Sequence, residues 1–132
     1  MYVYFAAPNF TRAEREWNSK MAATISEIGH RVYLSQRDNA GDYPDVIFNN
    51  NVVELKACKM VVAVLDRADV DAGVAWVCGF AKGIGKSVFG LRTDSRRGGD
   101  DPRYEMNTML SCGTDVVINS MDELFTMLKS KM

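Results

Sequence analysis

The stretch Met60-Val61-Val62-Ala63-Val64-Leu65-Asp66, followed by Asp71-Ala72-Gly73-Val74-Ala75-Trp76-Val77-Cys78-Gly79-Phe80-Ala81 and then Gly85-Lys86-Ser87-Val88, decides the fold. A short, unbroken apolar run bounded by polar residues is the pattern of a strand buried on both faces. Asp66 closes that run. Asp71 and Gly73 then open a helix of small residues, and Ser87 begins another strand. A strand, a short acidic loop and a helix in this order place any ligand just beyond the carboxyl end of the strand, where open α/β sheets bind their substrates.

Outward from this unit, strands and helices alternate over the whole chain. Tyr2 to Ala6 reads as a strand. Thr11-Arg12-Ala13-Glu14 is a capping-box pattern, opening a helix with Trp17, Met21, Ile25 and Ile28 on one face. Gly29 ends that helix, and Arg31 to Leu34 is a second short strand. Ser35 to Pro44 is a polar loop of turn-forming residues. A helix from Asp45 to Ala57 is expected to bury Val46, Ile47, Val53 and Leu55. Ser87 to Leu91 is the fourth strand and Arg92 to Arg103 a second polar loop. Tyr104 to Leu110 reads as helix and Asp115 to Ile118 as the last strand. Ser120-Met121-Asp122-Glu123 caps a terminal helix reaching Lys131. Five strands and five helices imply a three-layer α/β/α sandwich with a five-stranded parallel sheet. Right-handed crossovers make the flavodoxin-like order 2-1-3-4-5 the economical topology.

The 132 residues suit a single domain over 1–132. A net charge of −1 offers no basic footprint for nucleic acid or an anionic membrane, so neither is an expected partner. No apolar run approaches the roughly 20 residues of a membrane span, and no signal-peptide pattern precedes the first strand. Cys58, Cys78 and Cys112 lack metal-ligand spacing, which fits reduced thiols in a cytoplasmic protein with no metal and no cofactor.

Several segments, in order and on matching elements, resemble the nucleoside 2-deoxyribosyltransferase family over nearly the full chain. The Asp71 to Ala81 run is similar to the family's Asp-x-Gly-x-Ala-x-Glu-x-Gly-x-Ala segment. Tyr4-Phe5-Ala6-Ala7-Pro8 resembles its first strand and turn, one wall of the nucleoside pocket. Asp66 ends the third strand as in the family, and Thr93-Asp94-Ser95-Arg96 resembles a run after the fourth strand. Asn107 and Gly113 match a loop whose asparagine crosses, in the family, to a neighbouring subunit's site. The resemblance thus implies a homodimer or higher even-numbered homo-oligomer, and substrate contacts from Tyr4, Ala6, Phe10, Asn51, Asp66, Gly73, Arg96 and the neighbour's Asn107.

The chain departs from the family at its centre. The family's nucleophilic glutamate falls on Val77, which has no group to attack a sugar and form the covalent intermediate. The base-holding aspartate falls on Asn51, and an aspartate before the third strand falls on Lys59. Asn51 can still hydrogen-bond a base edge, without a carboxylate's proton chemistry. Asp71 matches an aspartate that contacts the sugar, and it also suits a helix N-cap. Glu54, three residues after Asn51 on much the same helix face, is the one glutamate placed to substitute, against its plainer reading as a solvated side chain. Arg96, Arg97 and Arg103 either meet a 5′-phosphate or sit on a solvated loop. Gly85-Lys86-Ser87 opens a strand, not a helix, and lacks the spacing of a phosphate loop. His30 has no chemical partner in view and reads as structural.

Two functions remain. One is an enzyme of nucleotide salvage that acts on the N-glycosidic bond of a (deoxy)nucleoside or nucleotide, with impaired or altered catalysis. The other is a catalytically silent protein that binds the same ligands.

Overall fold

The computed structural model describes residues 1–101 and 103–132; Pro102, in the polar loop expected over Arg92 to Arg103, lies outside the described residues. The strands are β1 (Tyr2–Ala6), β2 (Arg31–Leu34), β3 (Met60–Val64), β4 (Ser87–Leu91) and β5 (Val116–Ile118). All pair in parallel, in the order β2-β1-β3-β4-β5, with Tyr4 opposite both Tyr33 and Val61 and Ala63 opposite Gly90. The valine-rich β3 sits in the middle and is buried along its length.

The helices are α1 (Arg12–Ile28), α2 (Ser35–Asp38), α3 (Pro44–Ala57), α4 (Ala72–Gly83), α5 (Thr108–Gly113) and α6 (Met121–Ser130). Side chains of a strand alternate between faces, and this divides the core in two. Val3, Phe5, Val62, Val64 and Leu91 pack against Met21 and Ile25 of α1 and Leu124 and Leu128 of α6. Tyr4, Ala6, Val61, Ala63 and Leu65 pack against Leu55 of α3 and Val74, Cys78 and Ala81 of α4. These two layers on one sheet are the three-layer sandwich read from the alternation.

The local signals hold where their chemistry is short-range. Thr11 accepts the Glu14 N–H while Glu14 accepts the Thr11 N–H, closing the capping box of α1. Gly29 ends that helix at φ +119°, a left-handed position that glycine occupies without a Cβ penalty. His30 is buried, its Nε2 against the Leu128 carbonyl at 2.8 Å, in a structural role.

Three expectations need correction. The loop over Ser35 to Pro44 contains the single-turn α2, whose start is held by the Asp38 carboxylate accepting the Leu34 N–H at 2.8 Å. The helix expected over Tyr104 to Leu110 begins only at Thr108, because Asn107 caps it by accepting the Met109 N–H. In α3, Leu55 alone is buried; Val46, Ile47 and Val53 are exposed, and Val53 is 62% accessible. Leu55 satisfies the contact between that helix and the sheet, so its other apolar side chains face outward or toward a cleft. Among the described residues no helix is long and apolar enough to cross a membrane.

Candidate active site

At the carboxyl ends of β1 and β2 the chain leaves a cleft of about 490 Å³. One wall is the end of β1 and the turn after it, Tyr4 to Phe10; a second is formed by Ser35, Asn39, Ile47 and Asn51; the third is the start of α4. Of the residues singled out in the sequence, this cleft gathers Tyr4, Ala6, Phe10, Asn51, Asp71, Gly73 and Val77.

The α4 wall follows from helix geometry. Val74, Cys78 and Ala81 turn into the core, while Gly73 and Val77, rotated by roughly 100° per residue, line the cleft with Val74. Asp71 is the N-cap: its Oδ2 accepts the Val74 N–H at 3.1 Å. A capping carboxylate keeps lone pairs free on its other oxygen, so Asp71 can still accept from a ligand hydroxyl. Val77 brings an isopropyl group to the position one and a half turns further on. Cys78 is no substitute nucleophile, since its side chain is buried in the core, away from the cleft, and burial pushes its thiol up to about 11.

The α3 wall is a closed hydrogen-bond network. Asn51 Oδ1 accepts from the Tyr33 hydroxyl at 2.8 Å, Asn39 Nδ2 at 2.9 Å and the Ser35 hydroxyl at 3.0 Å. Burial raises the Tyr33 phenol above its ordinary value, which keeps it protonated as a donor. Tyr4 packs beside Tyr33, the rings tilted by 42° with centroids 5.0 Å apart.

Six of the singled-out residues lie elsewhere. Glu54 shares a helix face with Asn51, but α3 runs against the strands, so three residues carry it about 4.5 Å down the helix, away from the cleft. There its carboxylate accepts from the hydroxyl of Tyr2, the first residue of β1, in a polar cavity with Arg31, Arg37 and Asp38. Asp66 is consumed by the loop after β4: Oδ1 accepts the N–H groups of Thr93 and Asp94, and Oδ2 the Thr93 hydroxyl. Arg96 forms an ion pair with Asp94 at 2.6 Å, which drives that carboxyl well below its ordinary range. Arg103 pairs with Asp101 at 2.8 Å, and Arg97 donates to the Arg103 carbonyl. None of these arginines lines the cleft. Asn107 caps α5 and lines a cavity between α4 and α5.

Two residues of the site have no counterpart in the sequence reading. Arg67 follows the end of β3 in a left-handed conformation, φ +81°, which costs a side-chain-bearing residue roughly 1 kcal/mol or more. Its N–H donates to Asp94, its carbonyl accepts from Arg92, and its guanidinium reaches Glu14 at 2.6 Å and Asp71 at 3.5 Å. Burial works against the Glu14 charge, but Arg67 and the Thr11 donors outweigh it and hold the carboxyl at about 2. Asn39 is the other; it ties the loop before α3 to Asn51. The pattern Asn39-Ala40-Gly41 signals a local turn, while nothing in the sequence signals the reach to Asn51. Among the described residues, no group of three or more His, Cys, Asp or Glu side chains is placed to hold a metal ion.

The model of the family described as nucleoside 2-deoxyribosyltransferase matches residues 3–109. The fold is similar to that of a conserved protein from Enterococcus faecalis V583, with TM-score 0.86 and 25% identity over 99% of this chain and 98% of that one. It is also similar to a 2-deoxyribosyltransferase from Bacillus psychrosaccharolyticus, with TM-score 0.79 and 18% identity over 97% and 96% of the two chains. A third similar structure is a 2-deoxyribosyltransferase from Leishmania mexicana, with TM-score 0.80 and 23% identity over 98% and 97%. The search of curated proteins finds no match.

Proposed function

Because the chain belongs to the nucleoside 2-deoxyribosyltransferase family, we propose that its cleft holds a (deoxy)nucleoside or nucleotide and acts on the N-glycosidic bond, with ordinary two-step transfer impaired. One observation carries this reading: Asp71, Val77 and Asn51 line a single cleft at the carboxyl ends of the strands. Asn51 and Tyr4 supply a base-binding wall, Asp71 accepts from the sugar, and the cleft is large enough for one nucleoside. At the position of the family's attacking carboxylate, the Val77 side chain has no lone pair to give. The same substitution favours the second reading, a catalytically silent binder in nucleotide salvage.

Incubation with a panel of deoxynucleosides and a second free base tests both. Saturable binding with little exchanged nucleoside or free base, read by chromatography, is the expected result. Absence of binding to every member overturns the reading, and robust exchange that survives Asp71→Ala and Glu54→Ala shows that the chemistry lies outside this cleft.

We also infer a homodimer or higher even-numbered homo-oligomer with the Asn107 loop near the partner's cleft. Support comes from an outward row of aromatic rings, Phe48 edge-on to Trp76 and Trp76 stacked on Phe80, with centroids 5.1 Å apart in both pairs. Met109, beside Asn107, is 80% exposed. A contiguous apolar surface of this kind marks an interaction site; a monomer by light scattering at micromolar concentration would refute this. We place the protein in the cytoplasm, where the free thiols Cys58, Cys78 and Cys112 stay reduced.

A further inference from the structure

We propose that Asn51 determines base specificity by presenting only hydrogen-bond donors to the cleft, so that the protein selects nucleobases offering an acceptor at that point of their edge. The inference rests on the nucleoside reading above and goes beyond it, to the polarity of the base.

The orientation of two side-chain amides sets the polarity that Asn51 presents. An amide can be turned over, exchanging its oxygen and nitrogen, unless its neighbours forbid it. Asn39 cannot turn. Its Oδ1 accepts the backbone N–H of Gly41 at 3.0 Å, and its Nδ2 donates to the Ile47 carbonyl at 3.0 Å. A backbone N–H only donates and a carbonyl only accepts, so both ends are fixed. Asn39 Nδ2 therefore faces Asn51 as a donor, at 2.9 Å. A donor there requires oxygen on Asn51, and that oxygen also collects the hydroxyls of Tyr33 and Ser35.

The Nδ2 of Asn51 is left over. It has no protein partner among the described residues, and its side chain lines the cleft. Two N–H groups on a fixed amide leave a ligand one way to satisfy them, with a ring nitrogen lone pair or a carbonyl oxygen. A ligand N–H at the same place sets donor against donor and leaves both without partners. Asn39 makes no such contact in this scheme; it is a positioning residue that holds the polarity of Asn51.

Asn51→Asp is the decisive variant. It keeps the anchored oxygen, with its three donors, and replaces Nδ2 by a second oxygen, so the network and the fold persist while the group facing the base becomes an acceptor. The matched pairs deoxycytidine with deoxyuridine, and deoxyadenosine with deoxyinosine, exchange donor and acceptor at two edge positions each. Equilibrium affinities for all four, at neutral pH, are compared in the native protein and the variant. Loss of about tenfold in affinity for the preferred member of a pair, with reversal of the preference, is expected. An equal loss for both members overturns the proposal, because Asn51 then does not discriminate between them. Unchanged affinities for all four overturn it. A native protein that binds none of the four overturns the nucleoside reading itself, a separate outcome. Asn39→Ala adds an independent readout: Asn51 is freed to turn, and the ratio between pair members moves toward one while affinity for the poorer member is kept or rises. An unaltered ratio in Asn39→Ala, alongside a preference in the native protein, refutes the locking.

Discussion

The two walls of the cleft are built on different principles. On the α3 wall, three donors fix the Asn51 side-chain oxygen, and the apolar face behind it is a pair of tyrosines. On the α4 wall, the one carboxylate also serves to cap its helix, and the next side chain toward the ligand is a valine. The first wall is pre-organised for recognition. The second holds a structural carboxylate and an apolar group where a reactive carboxylate would stand. On the nucleoside reading proposed above, recognition and reaction fall on separate elements of this fold, and each can change without the other.

Substitutions on the α4 wall break that separation most sharply. Val77→Glu restores a carboxylate to the cleft without touching the α3 wall. Base exchange should rise roughly a hundredfold, a partial gain given that losing a nucleophile costs on the order of 10⁴-fold or more. Apolar neighbours raise a carboxyl's pKa, so the gain should grow as pH increases from the acid side, and chromatographic rate measurements across pH would show it. Unchanged exchange in a folded variant would mean that the two walls do not act on one ligand.

Asp71 has two duties that two substitutions pull apart. Asn caps a helix as well as Asp, so Asp71→Asn should keep the melting temperature and lose about tenfold in nucleoside affinity, a magnitude equal to one modest charge-assisted hydrogen bond. Asp71→Ala should lose both, with a stability cost of about 1 kcal/mol that calorimetry reads as a fall of about 4 °C.

Arg67 joins the α4 wall to α1, and its positive φ makes an unusual prediction. Arg67→Gly and Arg67→Ala both lose the contacts to Glu14 and Asp71, yet Gly should be the more stable by about 1 kcal/mol, because it alone occupies the left-handed region freely. Denaturant midpoints decide the order.

The smallest effect concerns the Glu14 partner of that arginine. Its folded carboxyl, at about 2, lies below the ordinary value of 4.5. The contribution to stability is complete above the ordinary value and is lost as pH falls from there toward about 2. Acid titration of unfolding should show a shallower loss in Glu14→Gln than in the native protein.

The strands, the helix caps at Thr11 and Ser120 and the terminating Gly29 were legible because each depends on a few adjacent residues. The exposure of Val46, Ile47 and Val53 was not, since an apolar side chain signals burial without saying whether the chain itself covers it. Glu54 shows the limit of helical spacing: a shared face with Asn51 fixed its direction and left out its height along the helix axis. Asn39 and Arg67 escaped for a further reason. One acts through a contact twelve residues away and the other through a backbone angle, and neither leaves a mark on residue type.

Arg92 carries a last consequence. Its buried guanidinium gathers the main-chain carbonyls of Leu65, Arg67, Arg96 and Glu105. This knot reads only carbonyl oxygens, so it is blind to the identity of the side chains on the turns it binds. The rim beyond β3 and β4 can therefore change its outward residues while its path through space stays the same. A fold that stores the course of a loop in one cation leaves the loop's surface free to vary.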